Sequence, residues 1–377
     1  MRRRIGVIGA VLVLAAGLAV PAASAARHLL VGLQDDAQTL YGNPTTTFPL
    51  LRQLRTQIIR VNMIWGGAPH AVAARRPAHP QDPSDPAYDW TLYDRVVRYA
   101  AQNHIQVMLT IMFTPKWANG GKARNVPPTN SNDLRNFAYA AAERYSGHYI
   151  PVDDNGDEEV LPAVKRWLAW NEPNNPNWLK QTSGGRFVSP RSYAKICTAI
   201  WTGVHLTNFA GEQVGCGATG PRGNNRPRSS RPEMSPLAFM TAARKAGMKH
   251  MDAYAHHPYY GRPNESPSTK PRGGAVTMAN IRTLIALSNK LFGRKPIWIT
   301  EYGYQTRPDR LFAVSYTKQA RYLSQAYAIA RRTPQIALMV WFMLKDDTNI
   351  GSGWQSGFLT ARGQKKPAFN AYRRLPH

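Results

Sequence analysis

Arg166-Trp-Leu-Ala-Trp-Asn-Glu-Pro-Asn174 is a short apolar run that ends in a carboxylate. No polar side chain interrupts Trp167–Trp170. Strands buried on both faces read this way, without the alternation of a half-buried strand. Pro173 stops the run and re-aims the chain, so Glu172 falls at the C-terminal end of a strand. Seven similar runs flank it. His28–Gln34, Ile58–Trp65 and Val107–Phe113 precede it; Gln213–Thr219, Asp252–Pro258, Pro296–Thr300 and Ala337–Leu344 follow. Segments with helical spacing separate these runs: Phe48–Gln57, Tyr88–His104, Leu134–Tyr149, Tyr193–Leu206, Leu237–Met248, Met278–Phe292 and Tyr316–Arg331, with Pro367–Leu375 after the last run. Strand followed by helix, eight times over, implies a parallel sheet with helical crossovers. Eight units predict an α/β fold closed as a (β/α)8 TIM barrel rather than an open, doubly wound sheet. No G-x-G-x-x-G follows the first run, which weakens a dinucleotide-binding reading.

Composition narrows the classes. The chain has 377 residues, 43% of them hydrophobic, with ten Trp and seventeen Tyr, so general disorder is excluded. Two cysteines cannot staple a chain of this length, and a packed core must hold it. At the N-terminus, Arg2-Arg3-Arg4 precedes an uncharged apolar stretch from Ile5 to Val20, then Ala23-Ser24-Ala25. This pattern predicts a secretory signal peptide over 1–25 and a secreted protein whose 26–377 form one catalytic barrel. The competing reading, an uncleaved anchor helix, is disfavoured by the short apolar core and the Ala-Ser-Ala site. No later stretch is long and apolar enough to span a membrane. No linker rich in Pro, Gly and Ser separates a second domain, and a monomer is expected.

The formal charge is +26, of which the three N-terminal arginines carry part. No zinc-ligand spacing, RNA-binding segment or basic heptad helix accompanies the surplus, so nucleic acid is not the expected partner. An anionic polysaccharide or cell-wall surface is, held by Arg-rich segments such as Arg222–Arg231. Asp153–Glu159 resembles half of a calcium loop, but Gly156 falls too early and Val164 stands where the closing glutamate belongs. A solvated acidic turn is the better reading, and neither metal nor cofactor is expected. Cys197 and Cys216 are expected to pair in an exported protein; two buried thiols are the alternative. No Ser/His/Asp set or His-Glu-x-x-His supports a serine or zinc hydrolase.

A second carboxylate completes the pattern. Pro296-Ile-Trp-Ile-Thr-Glu301-Tyr-Gly-Tyr304 places Glu301 at the end of an otherwise apolar seventh strand. A carboxylate there is costly unless paired or used. Three βα units separate Glu172 from Glu301, which puts them on strands four and seven, facing one another across the barrel mouth. Two such glutamates are what retaining glycoside hydrolysis requires: one to protonate the leaving oxygen, one ionised to attack the anomeric carbon.

Trp170-Asn171-Glu172-Pro173 on strand four and Ile299-Thr300-Glu301 on strand seven resemble the clan A glycoside hydrolases, with families 39 and 5 nearest. The resemblance follows the strand order of the whole mature chain. It implies that Glu172 is the acid/base, Glu301 the nucleophile, and Asn171 a hydrogen-bond partner of the 2-hydroxyl of the sugar bound at the cleavage point. Arg60, in Ile58-Ile-Arg-Val-Asn62, matches a strand-two arginine that keeps the nucleophile ionised. His257-Pro-Tyr259 matches an H-x-Y that orients substrate and nucleophile, and Trp341 an aromatic floor beneath the sugar.

Each of these has a plainer reading. Glu172 could favour a helix N-terminus, Glu301 could simply pair with Arg60, His257 could be a core residue, and Trp341 could be barrel core. Trp65, Trp117, Trp178 and Trp354 could be sugar platforms or loop packing. The expected function is secreted, retaining hydrolysis of O-glycosidic bonds in a poly- or oligosaccharide. A catalytically silent carbohydrate-binding barrel of the cell envelope, or a transglycosylase using the same site, stays open. Specificity is expected in the loops after the strands, chiefly Gly66–Pro86, Lys116–Pro128, Asn174–Ser189, Gly220–Ser235 and Gly261–Gly274.

Overall fold

A computed structural model describes residues 29–151, 159–351 and 353–377. The proposed signal peptide and most of the Asp153–Glu159 turn lie outside these. Eight parallel strands close into a barrel: β1 (Leu30–Gln34), β2 (Ile58–Ile64), β3 (Gln106–Met112), β4 (Arg166–Ala169), β5 (Gln213–Thr219), β6 (Ala253–His256), β7 (Ile297–Tyr302) and β8 (Ile336–Phe342). Each strand pairs with its neighbours in the chain. β8 closes the ring against β1, with Leu30 opposite Leu338 and Gln34 opposite Phe342. A small hairpin, Thr182–Ser183 with Arg186–Phe187, lies in the loop after β4.

The helices fall where the apolar spacing predicts, with ends shifted by a few residues. Capping explains the shifts. Asn43 caps Pro44–Gln53 by accepting from the Thr45 amide, so this helix starts four residues before Phe48. Asn130 caps Ser131–Arg144 in the same way. The Ser189–His205 helix begins at a Ser-Pro step, ahead of the apolar pattern that opens at Tyr193.

Two apolar cores result. The larger lies between strands and helices. The smaller fills the barrel lumen with strand residues only, among them Ile58, Met108, Leu168, Ala253, Trp298 and Leu338. Trp298 is the one ring in that set. It is accommodated because Gly215 faces it: a Cβ there would stand 2.6 Å from the indole. The lumen is therefore a packed plug. Above it, the inward residues turn polar: Gln34 on β1, Arg60 and Asn62 on β2, Thr110 on β3 and Thr300 on β7.

Candidate active site

Two breaks in strand alternation aim the carboxylates. In β7, Ile299 and Tyr302 pack outward against the helices, and they pair with Met339 and Trp341 of β8. Two residues, Thr300 and Glu301, thus stand where β8 has only Val340. This β-bulge points both into the barrel. The carbonyl of Thr300 accepts from Arg60 (3.2 Å). In β4, Leu168 points inward and Ala169 outward. Trp170 then takes φ +67°, an unusual conformation for so bulky a residue, and packs outward too. The alternation is reset, so Asn171 points in. Glu172, at φ +32°, follows it over the mouth, its amide donating to the Ala218 carbonyl (2.9 Å).

Arg60, fully buried, organises the floor. Its guanidinium donates to Glu301 Oε1 (2.6 Å), Gln34 Oε1 (2.8 Å), Asn171 Oδ1 (2.7 Å) and Thr110 Oγ1 (2.9 Å). The ion pair expected with Glu301 is present. Because Asn171 Oδ1 accepts from Arg60, its Nδ2 is left toward the cavity, without a partner among the described residues. Tyr259 donates its hydroxyl to Glu301 Oε2 (3.2 Å). Burial and the carboxylates of Glu301 and Glu172 push this phenol far up, so it keeps its proton.

His257 stands between the glutamates. Its Nδ1 lies 3.1 Å from Glu172 Oε1 and 3.6 Å from Glu301 Oε2, and its Nε2 lies 2.9 Å from Thr300 Oγ1. Asn175 donates to the other Glu172 oxygen (2.9 Å). Burial pushes the Glu172 carboxyl up, but His257, Asn175 and the charge of Arg60 outweigh it and hold the group below its usual value.

One oxygen of Glu172, one of Glu301 and a ring nitrogen of His257 lie within 4.8 Å of one another. Such a trio could ligate a cation. Here Glu301 Oε1 already holds a guanidinium at 2.6 Å, and a divalent ion would have to compete with that fixed charge.

The cavity above the pair holds about 850 Å³. Trp341 is absent from its wall. It is fully buried, stacks on Phe358, and donates its indole N–H to the Ser356 carbonyl (2.9 Å). The expectation of an aromatic floor at Trp341 is thus corrected by parity. Leu338 and Val340 face the lumen, so the next inward residue is Phe342, and Phe342 does line the cavity. Alternation along β8 could have shown this. Trp178 and Trp354 also line the cavity, whereas Trp65 and Trp117 pack edge to face with each other, away from the wall. Gln34, Asn62 and Asn175 join the site without a local motif. Cys197 and Cys216 form a disulfide, Cα to Cα 6.0 Å, joining the middle of the Ser189–His205 helix to β5.

The family described as "Glycosyl hydrolase catalytic core" matches residues 154–372, more than half of the chain. The chain belongs to this glycosyl hydrolase family. Among solved structures, it is similar to a family 39 glycoside hydrolase from the gut symbiont Bacteroides cellulosilyticus WH2, with 18% identity and TM-score 0.63 over 92% of this chain. It spans only 63% of that protein's length. It is similar to a glucosidase from Croceicoccus marinus (15% identity, TM-score 0.64, 93% of this chain and 67% of that one). It is likewise similar to fungal β-1,4-galactanases (13% identity, TM-score 0.59, 92% of this chain and 100% of theirs). The fold of this glycosyl hydrolase is therefore a (β/α)8 barrel like that of several glycoside hydrolase families. No curated protein matches it in sequence.

Proposed function

We propose that this glycosyl hydrolase is an exported, retaining glycosidase with Glu301 as nucleophile and Glu172 as acid/base. One observation carries the reading: oxygens of two carboxyls, from opposite strands, lie within 4.8 Å across one cavity. Retaining enzymes hold the pair about 5–5.5 Å apart, whereas inverting enzymes leave about 6.5–9.5 Å for a water.

The chemistry follows from the contacts. Arg60 and Tyr259 orient the Glu301 carboxylate, which attacks the anomeric carbon as Glu172 gives a proton to the departing oxygen. The covalent glycosyl-enzyme is then opened by water, from which Glu172 takes a proton, and the anomeric configuration is kept. The Nδ2 of Asn171 is available to the 2-hydroxyl of the sugar at the cleavage point. Glu172 must gain a proton before the first step. A sugar chain that dries the cavity strengthens the burial that already pushes this carboxyl up. Export is supported by the charge and apolar pattern of residues 1–25. Among the described residues, no helix is long and apolar enough to cross a membrane.

The decisive experiment is labelling with a panel of 2-deoxy-2-fluoroglycosides, followed by peptide mapping. A label on Glu301, lost in Glu301→Gln, supports the proposal. A label elsewhere, or anomeric inversion in the product of any substrate turned over, refutes it.

A further inference from the structure

The wall of the cavity on the Glu172 side is cationic and is built as a unit. The loops after β5 and β6 bring Arg222, Arg231, Arg262 and Arg272 to it. They are fastened together. The buried Asn174, two residues beyond Glu172, donates to the carbonyls of Gly220 (3.2 Å), Arg222 (3.2 Å) and Met234 (2.9 Å), and accepts from the Gly220 amide (2.8 Å). The Val276 amide donates to the Pro221 carbonyl (2.9 Å), and Arg222 donates to the Gly261 carbonyl (3.0 Å), which joins the two loops.

The acidic groups of this wall pair with only one of its four arginines. Glu233 accepts from Arg231 (2.8 Å). Glu265 accepts from the backbone amides of Gly261 and Arg262, each at 2.9 Å, and from no guanidinium. The guanidinium groups of Arg262 and Arg272 have no hydrogen-bond or ion-pair partner among the described residues, and that of Arg222 has only the Gly261 carbonyl and the face of Phe312, 6.0 Å away. Holding like charges along one wall is costly unless an anion joins them, and guanidinium groups suit carboxylate or sulfate oxygens in particular. The wall is also wired to the acid: Arg231 donates to Asn175 Oδ1 (3.3 Å), and Asn175 donates to Glu172. An anion held here therefore belongs to the sugar on the leaving-group side.

We infer that the substrate is an anionic glycan, with a carboxylate- or sulfate-bearing unit on the leaving-group side held by Arg222, Arg262 and Arg272. The inference rests on the glycosidase reading above, so its test is a binding measurement that needs no turnover. Affinity electrophoresis of the Glu301→Gln protein would use polygalacturonate and hyaluronan against their carboxyl-reduced forms, and dextran sulfate against dextran. At least one acidic polymer should retard the protein about tenfold more strongly than its neutral counterpart, and less so as salt rises. Retention by the carboxylated or by the sulfated polymers identifies which anion is read. Adding Arg262→Gln with Arg272→Gln should lower that retention about tenfold, whereas Arg373→Gln with Arg374→Gln, at the C-terminal end of the Pro367–Arg373 helix, should not. Equal retention of acidic and neutral polymers, or equal loss in both double variants, would overturn the inference. Selective acidic binding without labelling of Glu301 would keep the anion site and overturn the glycosidase reading instead.

Discussion

At the residue scale, the proton of Glu172 is the controlling quantity. His257 is the main group holding its carboxyl below the usual value, against the pull of burial. Replacing His257 with Phe removes that donor, so Glu172 should keep its proton to higher pH. The basic limb of the kcat/KM profile, which reports the free enzyme, should then move upward, most clearly for substrates with poor leaving groups. An unmoved limb would show that His257 does not set the protonation of Glu172. By the same sign, ligand binding in the wild type should take up a proton, measurable by calorimetry in buffers of differing ionisation enthalpy. Arg60 is less replaceable still. Arg60→Met strands Glu301, Gln34 and Asn171 together and should cost about 3 kcal/mol of stability besides activity. The glutamates were legible because each closes an apolar run, and Arg60, His257 and Tyr259 through the resemblance to the clan A enzymes. Asn175 and Gln34 were not. Gln34 meets Arg60 from another strand, and Asn175 reaches back to Glu172 from the next turn, but polar side chains of these types are ordinary in loops and at strand ends.

At the element scale, the strand order was legible and the strand ends were not. Apolar runs and helical spacing report burial, but neither reports where alternation breaks. The bulge in β7 shows the consequence, since the sequence Ile-Thr-Glu-Tyr gives no sign that two successive residues share a face. Trp341 differs: β8 alternates regularly, and its parity alone turns the indole outward. Deleting Thr300 should restore regular alternation and lower Glu301 by about one residue, roughly 3.3 Å, toward the lumen. Such a protein should still unfold cooperatively but lose the Tyr259 contact and essentially all turnover; retained turnover would show that the bulge does not set the height of the carboxylate. The disulfide closes a loop with a sequence separation of 19 and pins the helix after β4 to β5. Cys197→Ala with Cys216→Ala should cost about 3 kcal/mol in denaturant titration. Gly215→Ala, forced against Trp298, should cost about 1–3 kcal/mol by overpacking the lumen.

At the scale of the whole molecule, the barrel is sealed by a buried carboxylate. Asp35, just after β1, accepts from the amides of Leu344 and Lys345 beyond β8, both at 3.0 Å. Burial pushes Asp35 up to about 7 and its neighbour Asp36 up to about 6, from 3.8. The folded chain therefore holds these protons more tightly than the unfolded one. Their contribution to stability is full below about pH 4 and is lost as pH rises through 6 to 7. The melting temperature should fall over that window, and Asp35→Asn should flatten the fall. The seam has a counterpart inside the ring. One guanidinium, on β2, is bonded to side chains from β1, β3 and β7 and to Asn171 just past β4. Arg60 thus acts as a keystone, set only when the ring is complete. The N-terminal half of the barrel holds Arg60 and Glu172; the C-terminal half holds His257, Tyr259 and Glu301. Neither half carries a working fragment of the other's chemistry, so activity becomes a readout of closure itself. In a denaturant series, catalysis and tryptophan fluorescence should disappear together, with no partly open, partly active species between them.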